Sequence, residues 1–414
     1  MSAGAAARDR GPAPELLALR SAAAVRERCE DVFRFVADGR SAHFTIDDTR
    51  LDAAAARVAD VTRAAYPDLA IPHHSRWRHF SAGGLDRWGS LPLGGATAVE
   101  AARAAIDLTV VSVLLDAGAG AAWRYHDNDT GRVFARSEGL AVASFDMFRA
   151  GLFSSDPSRP LEVDPTGLAR LDLATLARGF QCSDANPLVG LAQRLELLRR
   201  LGAALAARPD VFGAAGRPGH LIEAILASSS AKQIKAGDIL ALLLDALSTI
   251  WPSGLTVEGV ALGDAGRHPA VRRTDRSNGI VPFHKLSQWL TYSLIEPIER
   301  AGITVMDIDE LTALPEYRNG GLLLDAGVIR PRTPPDPSVP HEVRSELIVE
   351  WRALTVAVMD RLREATRRHL GVATLTMSQL LQGGTWSAGR AIALEKRPPD
   401  GPPPIAIKAD GTVF

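Results

Sequence analysis

From Glu138 almost to the C-terminus, apolar residues recur every three or four positions, and that pattern limits this chain to a mainly helical fold. The residues filling the pattern are chiefly alanine and leucine, which favour helix, whereas strands draw on Val, Ile and aromatics. The spacing predicts helices at Glu138–Gly151, Leu168–Phe180, Pro187–Ala207, Leu221–Ala227, Ile239–Trp251, Phe283–Ala301, Val343–Leu370 and Ser378–Leu394. Upstream it predicts Glu15–Val36, Leu51–Ala65 behind the Asp47-Asp48-Thr49 start signal, and Val99–Leu115. Asn186 before Pro187 reads as a cap and first-turn pairing. Trp123 to Arg136 alternates around Asn128-Asp129-Thr130-Gly131, the signature of a small β-hairpin, and no parallel sheet is expected.

Neither an internal repeat nor a strong linker interrupts the chain. Residues 1–14 read as a disordered N-terminus, 15–396 as one large helical domain and 397–414 as a tail. Within the domain, 15–95 is an N-terminal elaboration of a 96–396 core. Pro331–Pro340 holds five prolines and is a surface connector.

Charge narrows the partners. The formal net charge is −1 and the pI about 6.8, and the basic residues are scattered among acids. A nucleic-acid binder would carry a basic stripe, so none is expected here. The first fourteen residues lack the apolar core of a signal peptide, which points to a cytoplasmic protein. The apolar stretches Ala105–Trp123 and Ile239–Trp251 carry Asp107, Asp116 and Asp245, so they read as buried helices and not as membrane spans. Cys29 and Cys182 are the only cysteines and offer neither a disulfide framework nor a thiolate metal site. His73, His74 and His79 cluster, but two adjacent histidines cannot easily face one ion, so no metal is expected. Walker, GxSxG and HExxH motifs are absent, and no cofactor is expected.

Four segments carry chemical interest. Between Pro72 and Trp88 the chain has no clean period and reads as an ordered loop, where Arg76 and His79 offer anion contacts beside aromatic faces. In FHKLSQWLTYSLIEP (283–297), His284, Gln288, Tyr292 and Glu296 recur every four residues beside an apolar stripe of Leu286, Trp289, Leu290 and Leu294. A polar stripe of that composition suits either a cavity wall or a solvated helix face. Pro297 should kink or end this helix near Glu296. Asn319-Gly320-Gly321 reads as a permissive turn next to Tyr317 and Arg318. LLQGGTWSAGR (380–390) breaks a helical pattern at Gly383-Gly384 and sets Trp386 near Arg390, as a helix corner or a pocket edge.

The strings SRWRHF (75–80), RSEGLAVASFDMF (136–148), FHKLSQWLTYSLIEP (283–297), LPEYRNGGLLLD (314–325) and LLQGGTWSAGR (380–390) resemble the uracil-catabolism protein four family, with likeness running from about residue 15 to 395. That resemblance implies a role in a pyrimidine degradation route in which uracil becomes a nucleotide, its ring is opened and urea is released. The order of elements from Asp116 onward is also similar, more distantly, to queuosine-salvage nucleotide glycosidases, which implies a fold like the helix-hairpin-helix glycosidases. The carriers are DAGAGAAW, with Asp116 and Trp123 seven residues apart, and EYRNGG, with Glu316 where those enzymes have Asp. Their catalytic Asp falls in this chain at Tyr292 or Ser293, and the nearest acid is Glu296.

The resemblance thus implies an N-glycosidase-like hydrolase that releases urea from ribosylurea or phosphoribosylurea. Glu296 is the first choice for stabiliser or base, with Asp116 and Glu138 as further carboxylates and His284 as the acid assisting the leaving urea. Arg76, His79, Gln288, Tyr292, Tyr317, Arg318, Asn319 and Trp386 would hold the nucleoside- or nucleotide-derived substrate. Glu296, Gln288, Tyr292 and His284 should share one cavity with Tyr317 and Arg318. The rival activities are an amidohydrolase or lyase trimming the opened ring, and a non-catalytic binding protein.

Overall fold

The computed structural model describes residues 13–228, 231–336 and 338–408. Of the expected disordered start, residues 1–12 lie outside the described part. Residues 13 and 14 do not fit that expectation, since Ala13 is buried and Pro14 opens a short helix.

The architecture is mainly α, as the alanine and leucine periodicity required. Its centre is the Ala98–Leu114 helix, opened by a capping box in which Thr97 and Glu100 satisfy each other's backbone donors. That helix runs against Lys285–Arg300, and both are buried on nearly every face. The 25-residue Glu346–Leu370 helix crosses Ala22–Ala37 and Leu51–Ala65. One apolar cluster joins these layers, with Val58, Ile106, Phe148, Leu201, Leu294 and Trp351 among its fully buried members. Each such side chain stabilises the fold by about 1.5–3 kcal/mol of burial. No described helix is long and apolar enough to cross a membrane.

The hairpin is where the sequence put it, with Tyr125–His126 antiparallel to Val133–Phe134. Further strands were not foreseen. Among the described residues there are six two-stranded ladders, and two are parallel, Gln233–Lys235 with Thr304–Met306 and His341–Glu342 with Ile407–Lys408. Strands of two to four residues are too short to display an alternation, and they pair only because the helices bring them together.

Several boundaries need correction for similar reasons. Glu15–Val36 is two helices, broken before Ser21, whose hydroxyl caps the second. Leu168–Phe180 is likewise two, Pro165–Arg170 and Leu173–Gly179. The helix expected from Pro187 starts at Leu191 after left-handed Gly190, because the Asn186 amide is spent holding Arg124 and Gln181 at the hairpin. Pro297 does not end its helix, which continues to Arg300 under the packing of its neighbours. Asn319-Gly320-Gly321 is not a turn: it lies inside the Tyr317–Asp325 helix. A Cβ on Gly320 would meet the Trp351 ring at 2.8 Å, so glycine there permits helix contact. Gly383-Gly384 makes no corner either. It sits in one π-helical turn, Leu381–Thr385, pressed against Val58 and Thr62.

Candidate active site

Two side chains of the polar stripe on the Lys285–Arg300 helix, Gln288 and Tyr292, are satisfied by protein, whereas His284 Nδ1 and Glu296 Oε2 are buried without a hydrogen bond, so the four do not line one cavity wall. Gln288 donates from Nε2 to the Thr312 hydroxyl at 2.7 Å and accepts the Thr312 N–H at 2.8 Å. The Tyr292 hydroxyl donates to the Thr312 carbonyl at 3.1 Å. His284 Nε2 donates to the Leu19 carbonyl at 2.9 Å, and the ring is buried. These side chains anchor the helix to the chain around residues 19 and 312, as buried polar groups must be anchored. Glu296 lies eleven positions beyond Lys285, roughly 16 Å along the axis. Its carboxylate pairs with Arg78 near the surface. No contact joins it to Tyr317 or Arg318 among the described residues, so the first choice of catalytic carboxylate fails on placement.

The other half of the expected set does converge. Ser75 caps a short helix, Arg76–Phe80, within the segment read as a loop. Its backbone is tied to the long helix by the Arg76 N–H, which donates to Ser293 Oγ at 3.0 Å. The Arg76 guanidinium is fully buried. Nε donates to Ser112 at 2.8 Å, and Nη1 donates to the Ser137 carbonyl and hydroxyl, each at 3.0 Å. Asp116 stands 3.0 Å from Nη1 and accepts the Ser137 hydroxyl at 2.6 and 2.8 Å. A carboxylate held on one side by a cation and on the other by a hydroxyl has a fixed direction and little freedom to turn.

His79 completes this group. Its Nδ1 is 3.2 Å from Arg76 Nη1, and because arginine can only donate, Nδ1 accepts and the proton sits on Nε2. Burial first, and then the Arg76 charge, push the imidazole down to about 3, so it is a neutral N–H donor at any physiological pH. Trp289 stands beside it, with His74 tilted against the same indole at 4.5 Å between ring centres. Glu138, two residues past Arg136 on the next helix, is close enough to Arg76 to act on its charge, and its own carboxylate has no hydrogen bond among the described residues.

Tyr317, Arg318 and Asn319 begin the neighbouring helix. Glu316 caps it by accepting the N–H groups of Arg318 and Asn319 at 2.6 and 2.7 Å. Burial raises the Glu316 carboxyl, against those two donors and the charge of Lys285. Arg318 lies over the Tyr317 ring at 4.9 Å and donates to the Gly401 carbonyl at 2.9 Å, while the Asn319 amide donates to Leu314 at 3.1 Å. Arg318 and Asn319 therefore serve the fold, and the Tyr317 phenol, raised chiefly by burial, is within electrostatic reach of Arg136. Trp386 is half-buried, with Arg390 5.9 Å over its ring, and has no contact with the cluster among the described residues.

Sequence reasoning missed Lys285, Ser137, Arg136 and Arg194. Lys285 is largely buried and feels Glu316, Asp264 and Asp116, yet no hydrogen bond or ion pair closes on its ammonium among the described residues. Burial lowers it from the usual amine range. One signal was available: Lys285 falls on the same helical face as Trp289, where a solvated lysine would not be expected. Arg194 is fully buried and donates to the carbonyls of Leu115, Ala117, Gly118 and Val189, fixing the turn that carries Asp116. No group of three or more His, Cys, Asp or Glu among the described residues is placed to hold a metal ion. A surface depression of about 600 Å³ near Arg26, Asp360 and Arg363 shares none of these residues, and Arg26, Arg361 and Arg363 in its lining are paired with acids.

Residues 18–414 match the family model described as "Protein of unknown function (DUF1688)". The chain belongs to this family. The chain is also similar to two relatives with names of their own. "Uracil catabolism protein 4" of Lachancea kluyveri is 37% identical over 430 residues, covering 95% of this chain and 98% of that one. "Protein urg3" of Schizosaccharomyces pombe is 37% identical over 401 residues, covering 94% and 96%. Likeness of that extent runs through both the N-terminal helices and the Arg76–Asp116 cluster, so the family is shared by the whole fold and not by one segment.

Proposed function

We propose that this protein is a hydrolase of uracil catabolism that cleaves the N-glycosidic bond of a ribosylurea or phosphoribosylurea and releases urea. The observation carrying this reading is Asp116, held between Arg76 and Ser137 beside a neutral N–H donor, His79, and an unpaired carboxylate, Glu138. The pathway rests on the relatives' names, and likeness to helix-hairpin-helix glycosidases is part of the same proposal.

Departure of an N-linked group from an anomeric carbon passes through an oxocarbenium-like state. A carboxylate of fixed direction stabilises that charge without reorganising, and Asp116 takes this role. Glu138 accepts a proton from the water that attacks C1′, forming the new C–O bond as the C1′–N bond breaks. Urea leaves poorly as an anion, so a proton must reach it. The His79 Nε2–H holds its oxygen, and Lys285, an ammonium with lowered proton affinity, donates. Trp289 supplies an apolar wall against which the planar urea group fits.

The test is direct. Purified protein is incubated with ribosylurea and with its 5′-phosphate, and free urea is measured. Release above the uncatalysed rate supports the assignment. Folded protein that yields no urea from either compound overturns it.

A further inference from the structure

The start of the Arg136–Arg149 helix is built without a partner for its charge. Its N-cap position is Ala135, which offers no side-chain oxygen, so the first N–H groups of the helix have no cap. The 14-residue helix concentrates partial positive charge at that end. Two arginines add to it where a carboxylate cap would ordinarily sit. Arg76 reaches the first turn, with Nη1 on the Ser137 carbonyl and hydroxyl, and its Nη2 is buried without any hydrogen bond. Arg136, the first residue of the helix, has φ 55°, a left-handed conformation costly for a side chain larger than glycine. Its guanidinium has no hydrogen bond or ion pair among the described residues, and the Tyr317 phenol feels its charge.

Asp116 neutralises Arg76 alone, and Glu138 is the single acid of the first turn. Glu138 answers part of this field without closing a hydrogen bond on it, and the uncapped N–H groups and the Arg136 guanidinium keep no bonded partner among the described residues. We propose that this helix start is a subsite for a phosphate monoester, with Arg136 as its grip. Backbone N–H groups at a helix N-terminus suit phosphate oxygens, and a guanidinium matches them bidentately. The inference rests on the hydrolase reading above and makes it specific: the substrate is the 5′-phosphate and not the free riboside. Ser137 then links the two ends of the ligand, since its hydroxyl is bound to Asp116 while its backbone belongs to the uncapped turn.

Calorimetric titration of the full chain with ribose 5-phosphate, ribose and inorganic phosphate tests this without any turnover. Ribose 5-phosphate should bind at least about 30-fold more tightly than ribose, and the advantage should fall as salt rises. Arg136→Ala should weaken ribose 5-phosphate binding by about 10- to 100-fold, the span of one lost charge-assisted contact. Arg136→Gly removes the same guanidinium while easing the left-handed backbone, so its loss of binding cannot be laid to misfolding. Equal binding of ribose and ribose 5-phosphate, or undiminished binding by the folded Arg136→Gly protein, overturns the subsite. Tight ribose 5-phosphate binding together with no urea release overturns the hydrolase reading alone.

Discussion

Arg194→Met is the most informative single substitution, because it removes the support of Asp116 without touching the carboxylate. Arg194 carries four hydrogen bonds to backbone carbonyls, at 3.1 Å to Leu115, 2.8 Å to Ala117, 3.3 Å to Gly118, and to Val189. Methionine fills a similar length and makes none of them. Leu115, the C-cap of the central helix, is fully buried, so its carbonyl would be left unpaired at a cost of about 1–3 kcal/mol. Val189 is 53% exposed, and there water replaces the lost donor at about 0.5 kcal/mol. Ala117 and Gly118, nearer the surface, add a similar amount each, while removing a buried cation returns some of the total. The expected loss is about 2–4 kcal/mol, a large share of the ~5–15 kcal/mol that holds a typical domain. Urea unfolding followed by circular dichroism reads it as a lower midpoint at unchanged slope. In urea-release assays, a shift of Asp116 by about 1 Å should cost about 100-fold in turnover. Arg194→Lys keeps the charge but cannot span four acceptors, so it should fall between the two. An unchanged midpoint together with full turnover in Arg194→Met would refute the idea that this arginine builds the Asp116 turn.

The same geometry sets the outcome of three further substitutions. Asp116→Asn keeps the shape of the side chain but loses its charge, and should lower turnover by about 100-fold or more, whereas Glu296→Gln, whose carboxylate pairs with Arg78 and makes no contact with Asp116, should stay within about 3-fold. For His79, the folded imidazole sits at about 3 against an ordinary 6.5. The folded state therefore refuses a proton that the unfolded chain accepts, and stability is lost as pH falls from about 6.5 toward 3, by at most about 1.4 kcal/mol per unit. Urea unfolding at pH 7, 6 and 5 should show a shallower decline for His79→Gln than for the wild type, and parallel lines would refute the assignment.

What could be read from the sequence was whatever a single helix determines by itself. Leu51–Ala65 was placed to the residue, and Ala98–Leu114 to within one, because their apolar spacing is local and uninterrupted. Where a residue's meaning depends on what packs against it, the same reasoning failed. Gly320 looked like a turn and is a helix contact, since only the fold brings Trp351 to it. Gln288 and Tyr292 looked like a ligand-facing stripe, and their partner Thr312 lies about twenty residues on with no motif to announce it. In the candidate cluster, Arg76 and His79 stand out in the sequence as polar residues in aromatic company, whereas Asp116 and Glu138 enter as further carboxylates beside the family resemblance. Arg194 does not stand out, because it sits in a helix whose pattern has ample arginine, and nothing local separates a buried one from a solvated one.

The buried charges of this protein divide by whether they are closed. Arg352 and Asp264 form a bidentate pair at 2.8 and 2.7 Å, and Asp264 also accepts the Lys285 N–H, which fixes the start of the long helix. Arg87 and Asp127 pair at 2.6 Å beneath the hairpin, and His268 meets Glu350 at 2.8 Å. Every one of these pairs joins elements distant in sequence, so their desolvation cost is set against fixing one arrangement of helices. Lys285, Arg136 and Glu138 follow a different rule. Each is largely or partly buried, each is charged, and none has a closing contact among the described residues. A fold that elsewhere pairs its interior charges across such distances gains nothing by leaving these three open. Something polar that enters would restore their lost solvation, and a ribosyl phosphate carrying urea, the substrate proposed above, would present an anion for Arg136, an acceptor for Lys285 and a carbon open to the water that Glu138 activates.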